Sequence, residues 1–357
     1  MTQEKSELQT HFRINDRLIG AGQPAYIIAE MSANHHQDFD RAVEIVHLAH
    51  QAGADAVKLQ TYTAETLTLD ADQPHFQIDQ GTVWDGARLY DLYQKAFTPW
   101  KWQPELKKIA NQFGMDLFSS PFDPSAVDFL ETLNVPAYKI ASFEIIDVPL
   151  LRKVAATGKP VIVSTGMATI DEIEQAVNTL RENGCSQVAL LKCTSAYPAP
   201  VESMNLHTIT DLAFRFQVPV GLSDHTLETQ TSVISVCLGA NIIEKHLTIS
   251  RKDNGPDSSF SLEPGEFAEM VSAVRQAEKT LGSVHYGPTK SDQNNLAFRR
   301  SLFVVQDIKA GERFTSDNIR SIRPGQGLKP IHIDQVLEGI AAESIPRGTP
   351  LSWRHVA

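Results

Sequence analysis

Short apolar runs alternate with longer amphipathic ones along most of the chain, and the apolar runs repeatedly end in polar residues. Eight short runs read as strands: YIIAEMS (26–32), AVKLQT (56–61), DLFSSPF (116–122), AYKIASF (137–143), VIVSTG (161–166), VALLKCTS (188–195), VGLSDH (220–225) and IIEKHLT (242–248). RAVEIVHLAHQAG (41–53), PELKKIANQFG (104–114), DEIEQAVNTLRENG (171–184) and GEFAEMVSAVRQAEKTLG (265–282) carry helical periodicity with a glycine just past the end, a common stop signal. Nearly continuous apolar strands alternating with amphipathic helices predict a parallel sheet covered by helices. Eight such units in roughly 260 residues fit a closed (β/α)8 TIM barrel, an α/β fold. A doubly wound open sheet is the alternative, but no G-x-G-x-x-G follows the first strand.

The rhythm breaks in three places. Residues 1–19 open polar and read as a loose N-terminal arm, which leaves 20–283 for the barrel. Residues 62–103 are too long for an ordinary connection and rich in aromatics, as lids and binding elements are, although a surface insertion packed on itself has the same composition. Residues 284–298 read as a linker, and 299–357, with short β-like pieces between turn signals, as a small, largely β domain.

Composition narrows the functional classes. The chain has 357 residues, 42% hydrophobic, with a formal charge of −11. That balance argues against a nucleic-acid partner, which wants a basic face. No apolar run reaches transmembrane length, so no membrane association is expected. Three cysteines (Cys185, Cys193, Cys237) at no metal-like spacing, with no secretory leader, read as reduced thiols in a cytoplasmic protein.

Barrel chemistry sits at the C-terminal ends of the strands. Strand side chains alternate faces, and residues of inward parity at those ends are Glu30, Lys58 with Gln60, Ser120, Lys139 with Ser142 beyond, Ser164, Ser195, Ser223 with His225, and Glu244 with His246. Glu144 follows Ser142, while Asn34 and His35 lie in the loop after the first strand. Each has a plainer reading: a lysine at a strand end is usually solvated or salt-bridged, a serine is a cap, and a histidine packs in a core. Lys58 and Lys139, however, fall inside apolar strands, where an unpaired ammonium is costly to bury. An anion between them, ringed by serine hydroxyls, removes that cost. Two histidines on adjacent strand ends suit one divalent transition metal with positions left open for substrate.

In order, IAEMSANHHQD, VKLQTYT, FSSPFD, YKIASFE, VSTGMAT, KCTSAYP, GLSDHT, EKHLT and GPDSSFSLEP resemble the sialic acid synthase family, from about residue 20 to the end. The resemblance implies a (β/α)8 barrel with a C-terminal SAF (antifreeze-like) domain that reaches into the partner's site in a domain-swapped homodimer. It also implies condensation of phosphoenolpyruvate with an acetamido sugar. It assigns Lys58, Lys139, Ser120, Ser142, Ser164 and Ser223 to phosphoenolpyruvate, with Ser195 where the family commonly has asparagine. His225 and His246 become metal ligands, for Mn²⁺ with Mg²⁺ or Co²⁺ as substitutes. Glu30, Glu244 and Asp257 become the catalytic acids. Asn34, Gln60, Tyr90 and, across the dimer, Arg323 become sugar contacts. LYDLYQKAFTPWKW and DSSFSLE resemble the branch that takes a 6-deoxy, diacetamido altrose, for which Tyr90, Tyr93, Phe97 and Trp100 would line an apolar C6 pocket. The neuraminate and legionaminate branches are the alternatives. A metal-free aldolase with Lys139 as Schiff-base nucleophile is a remoter one.

Overall fold

The computed structural model describes residues 11–357, in two compact units that divide between Gly282 and Ser283. The first begins with an antiparallel hairpin, β1 (His11–Ile14) and β2 (Arg17–Gly20). Eight parallel strands follow: β3 (Tyr26–Glu30), β4 (Ala56–Thr61), β5 (Asp116–Pro121), β6 (Tyr138–Ile140), β7 (Val161–Ser164), β8 (Val188–Cys193), β9 (Val220–Asp224) and β10 (Ile242–His246). Each pairs with the next and β10 pairs with β3, so the sheet closes into the expected barrel and not an open doubly wound sheet.

Helices cover the outside. α1 (Phe39–Gln51) follows β3; α2 (Ala64–Leu67), α3 (Leu89–Ala96) and α4 (Gln103–Gln112) follow β4. α5 (Pro124–Thr132), α6 (Val148–Ala155), α7 (Ile170–Glu182), α8 (Thr208–Phe216) and α9 (Gln230–Cys237) each cross to the next strand, and α10 (Pro264–Leu281) follows β10. Local chemistry fixes their ends. Asp38 caps α1 by accepting from the backbone N–H groups of Asp40 and Arg41, and Thr169 with Glu172 forms a capping box on α7. Gly53, past α1, has φ +84°, and a Cβ there would lie 3.2 Å from Val271 Cγ1. Both conditions favour glycine.

Part of the stretch expected as a loose arm is ordered. Phe12, Ile14 and Ile19 of the hairpin are buried in the barrel's hydrophobic core. Asn15 donates to Asp116, Arg17 pairs with Asp55, and the Arg13 N–H donates to Gln187 at 2.8 Å. These partners sit at or just before the N-terminal ends of β5, β4 and β8, so the hairpin lies across the end of the barrel opposite the polar strand tips. Residues 1–10 lie outside the described residues.

The second unit has its own core of Leu302, Val304, Ile308, Phe314, Ile319, Val336 and Leu351. Its antiparallel strands are β11 (Ser301–Val304) and β12 (Ile319–Ile322), joined by isolated bridges such as Ile308 to Ile345, with one short helix, α11 (Ile333–Glu338). The segment expected as a linker carries a 3₁₀ helix over Lys290–Phe298. Among the described residues no helix is long and apolar enough to cross a membrane.

Candidate active site

The C-terminal mouth of the barrel holds a cavity of about 410 Å³. Its floor is charged. Lys58 and Lys139 reach it from the interior of β4 and β6, and both are almost fully buried. Lys58 pairs with Glu30 and lies 3.5 Å from Glu244, whose other carboxylate oxygen is 3.8 Å from Lys139. Lys139 donates to Ser164 at 2.7 Å and Lys58 to Ser120 at 3.3 Å. Burial lowers the Lys139 pKa, but for Lys58 the charges of Glu244 and Glu30 outweigh burial and raise it. Burial lifts Glu30 to about 6 against the pull of Lys58. Glu244 is also opposed by burial, yet Lys139 and Lys58 hold it below its ordinary value. Two ammonium groups thus share two carboxylates where a more highly charged anion can displace them.

Serine hydroxyls rim this floor. Ser223 donates to Glu244 at 3.5 Å, and the Gly166 N–H donates to Ser142 at 3.1 Å. A Cβ on Gly166 would fall 2.3 Å from Ser195 Oγ and 2.7 Å from Ser142 Oγ, so only glycine lets this loop close on both hydroxyls. Ser195 sits behind that loop and Ser120 behind Lys58; neither lines the cavity, whereas Ser142, Ser164 and Ser223 do.

His225 and His246 face each other with ring centroids 5.4 Å apart. His225 Nδ1 lies 3.0 Å from the Thr194 carbonyl, which can only accept, so that nitrogen carries a proton and Nε2 is the one left to face a cation. Burial opposes charge on this ring, but Cys193 and Thr194 raise its pKa. Burial pushes the His246 pKa well down, keeping it neutral, and its Nδ1 is buried with no hydrogen-bond partner among the described residues. A neutral imidazole with an orphaned nitrogen, beside a second imidazole whose remaining proton a cation would displace, fits a divalent ion. No group of three His, Cys, Asp or Glu residues is placed to hold one among the described residues, which leaves the remaining positions to substrate or water.

Above the floor the lining turns apolar. The 62–103 connection supplies Tyr62, Leu67, Ile78, Trp84, Leu89, Leu92, Tyr93 and Ala96, met by Phe122, Tyr197 and Phe260 from other loops. Trp84 packs 5.4 Å from Tyr197 and 6.2 Å from Phe260, and its indole N–H donates to the Pro256 carbonyl at 2.9 Å. Neighbouring Asp257 lines the cavity, accepting from the Ser32 hydroxyl and the Ala33 N–H. Gln60 reaches the cavity and donates to Ser32 at 3.0 Å.

Other sequence candidates fall elsewhere. Asn34 is buried and donates to the Leu247 carbonyl and Ser261, bracing the loop that carries Asp257. The Tyr90 hydroxyl donates to Glu65 at 2.6 Å on the surface, outside the lining, and Phe97 and Trp100 are absent from it too. Of the four aromatics expected to supply an apolar wall, only Tyr93 does so. Arg323 lies exposed after β12 in the second unit.

Glu144 earned no role from sequence, yet it lines the cavity with Oε2 buried and unpartnered among the described residues. Burial moves its pKa from an ordinary 4.5 to about 7. A carboxyl raised in the fold contributes stability that is complete below its unfolded pKa and lost as pH rises through its folded one. Glu144→Gln is therefore expected to flatten the dependence of Tm on pH between about 4.5 and 7, as thermal melts across that range will read. A wild-type slope that survives the substitution overturns the assignment.

A charged floor under an apolar roof at the mouth of a barrel suits an enzyme that joins a small anion to a less polar partner. The chain belongs to the NeuB family, which residues 45–286 match, and residues 299–357 match the SAF domain. It is 44% identical to the pseudaminic acid synthase of Helicobacter pylori, over 92% of this chain and 97% of that protein. Against the N,N'-diacetyllegionaminic acid synthase of Legionella pneumophila identity is 34%, over 94% and 96%. The crystal structure of an N-acetylneuraminic acid synthetase from Leptospira borgpetersenii superposes with a TM-score of 0.71 at 31% identity, covering 81% of this chain and 95% of that one.

Proposed function

We propose that this chain condenses phosphoenolpyruvate with 2,4-diacetamido-2,4,6-trideoxy-L-altrose and water, giving pseudaminate and phosphate by C–O cleavage. The observation that carries the reading is the 44% identity, across nearly the whole chain, to a pseudaminic acid synthase, against 34% to a legionaminate one. The cavity supports it: the floor suits the phosphate and carboxylate, and the apolar roof suits a sugar with methyl in place of hydroxyl at C6.

In this reading Lys58 and Lys139 hold the phosphate and carboxylate, with the hydroxyls of Ser142, Ser164 and Ser223 completing the cradle and Ser120 and Ser195 behind it. His225 and His246 would hold a divalent ion, Mn²⁺ with Mg²⁺ or Co²⁺ as substitutes, which when bound supplies a Lewis acid for the aldehyde oxygen. Carbon 3 of phosphoenolpyruvate bonds to the aldehyde carbon, water adds at C2, and phosphate departs with its bridging oxygen. Glu30, buried beside Lys58 just behind the lining and raised to about 6, is the candidate to handle the proton of the water or of the aldehyde. Glu244 keeps both lysines charged and separated, and Asp257 and Gln60 face the sugar. The reading extends to a cytoplasmic homodimer in which Arg323 of a second copy reaches the N-acyl group; light scattering on the full chain tests the dimer.

Trp84, with Leu67, Ile78 and Leu92, offers an apolar wall to the C6 methyl, while Gln80 and Thr82 are the polar lining residues on the same connection. Trp84→Ala is expected to lower the kcat/KM preference for the 6-deoxy over the 6-hydroxy sugar by about 10-fold. An unchanged ratio moves C6 away from the roof.

The test of the reaction is phosphate release from phosphoenolpyruvate with Mn²⁺, offering the altrose beside N-acetylmannosamine. Turnover of the altrose alone supports the reading; turnover of N-acetylmannosamine alone transfers the chain to the neuraminate branch. One observation favours a second reading: burial lowers the Lys139 pKa, as a Schiff-base nucleophile requires. Covalent trapping by borohydride in the presence of EDTA would decide for that chemistry.

A further inference from the structure

Behind the two histidines lies an ion pair that neither the substrates nor the proposed metal touches. Asp224 and Lys245 immediately precede His225 and His246 and face each other as cross-strand neighbours on β9 and β10. By strand alternation their side chains leave the barrel on the side opposite the histidines, toward α9. Asp224 and Lys245 meet at 2.8 Å with side chains essentially inaccessible to solvent.

Both groups are fully engaged. Asp224 accepts from the Thr226 N–H at 2.9 Å, from Thr231 Oγ1 at 2.6 Å and from Ser232 Oγ at 3.0 Å. Lys245 also donates to Thr226 Oγ1 at 3.2 Å and to the Glu228 carbonyl at 3.0 Å. The network therefore ties together the tips of β9 and β10, the loop after His225 and the first turn of α9. Stability alone does not account for it. Removing two charges from water is costly, and a pair of apolar side chains of similar volume commonly holds a helix on a sheet at least as well. What the ion pair adds is direction: a satisfied polar network permits one register and one rotation of the strands that carry it.

We propose that Asp224 and Lys245 are positioning residues that set the spacing of His225 and His246 for a divalent cation. The inference rests on the metal reading above. Outer partners hydrogen-bonded to metal ligands typically change affinity by about 10–100-fold. Asp224 and Lys245 act instead through the backbone of the strand tips, so about 10-fold is the effect expected here.

The experiment uses full-length protein stripped with chelator, then titrated with Mn²⁺ alone and followed by the electron paramagnetic resonance signal of free ion. The double variant Asp224→Leu/Lys245→Met removes both charges together, so neither is left buried alone. It is expected to keep a wild-type Tm while binding Mn²⁺ roughly 10-fold more weakly. Ser232→Ala keeps both charges paired and removes one hydrogen bond to Asp224, and is expected to shift affinity in the same direction should the double variant fail to fold. The KM for phosphoenolpyruvate, bound at the floor, should change far less than the Mn²⁺ affinity in both, which a general loosening of the barrel would not produce. A folded variant with wild-type Mn²⁺ affinity overturns the inference while wild type binds and His246→Ala does not. Wild type binding no better than His246→Ala overturns the metal reading and this inference together.

Discussion

Lys139→Met is expected to reduce kcat/KM for phosphoenolpyruvate by about 10²–10³, the scale of losing one charged donor from a preorganised, water-excluded site. The ammonium is buried at the centre of β6, 2.7 Å from Ser164 and 3.8 Å from Glu244. Removing it takes a cation from the incoming anion and also leaves Glu244 leaning on Lys58 alone. Because Glu244 keeps Lys58 as a partner, any loss of stability should stay below about 3–5 kcal/mol, the cost of stranding a buried charge alone. Lys139→Arg separates electrostatics from nucleophilic chemistry. A guanidinium keeps the charge but cannot form a Schiff base, so it should recover part of the turnover that methionine loses. Equal inactivity of the two variants, in properly folded protein, would favour the covalent route. Steady-state kinetics with a phosphate-release readout and thermal melts are sufficient measurements.

The second large effect is expected at His246. Its imidazole is kept neutral by burial and its Nδ1 has no hydrogen-bond partner among the described residues, an arrangement that is unfavourable unless something else takes the lone pair. His246→Ala is expected to abolish saturable Mn²⁺ binding and to cut turnover by roughly 10³, while losing little stability because an unsatisfied polar group leaves with the ring. His246→Gln, close in size, should behave the same. Turnover that persists in either variant and still responds to added Mn²⁺ would place the ion elsewhere. Titration calorimetry with the metal alone separates loss of binding from loss of the fold.

Much of this was legible in the chain because burial and periodicity are local signals. Apolar strands of three to six residues separated by amphipathic helices admit few other architectures. Lys58 and Lys139 stand out because lysine inside such a strand demands a partner. The hairpin escaped because its core residues, Phe12, Ile14 and Ile19, are interleaved with His11, Arg13, Arg17 and Leu18, and the Asn15–Asp16 turn reads equally well as part of a polar arm. The aromatics of the 62–103 connection differ from expectation for another reason. Leu89, Leu92, Tyr93 and Ala96 follow the i, i+3, i+4, i+7 pattern of one helical face, and that face is the one that meets the cavity. Tyr90 sits one step round the helix and bonds Glu65 instead. Helical position, more than residue type, decides which side chains on this helix reach the cavity. Trp84, Tyr197 and Phe260 come together from three separate loops, and no local pattern announces such a meeting.

The depth at which each group sits also has a kinetic meaning. Lys58 and Lys139 lie within strands, whereas Trp84, Tyr197 and Phe260 stand on loops beyond the strand tips, and the hairpin of β1 and β2 lies across the barrel's other end. Among the described residues the lysines lie at the bottom of the cavity and the aromatics at its mouth. A molecule destined for the lysines has to pass the aromatic threshold before the second one fills it, and a sugar already in the doorway bars the way. For the proposed reaction this depth predicts an order of entry: the anion first, the sugar as the stopper, and phosphate leaving after the long product has cleared the mouth.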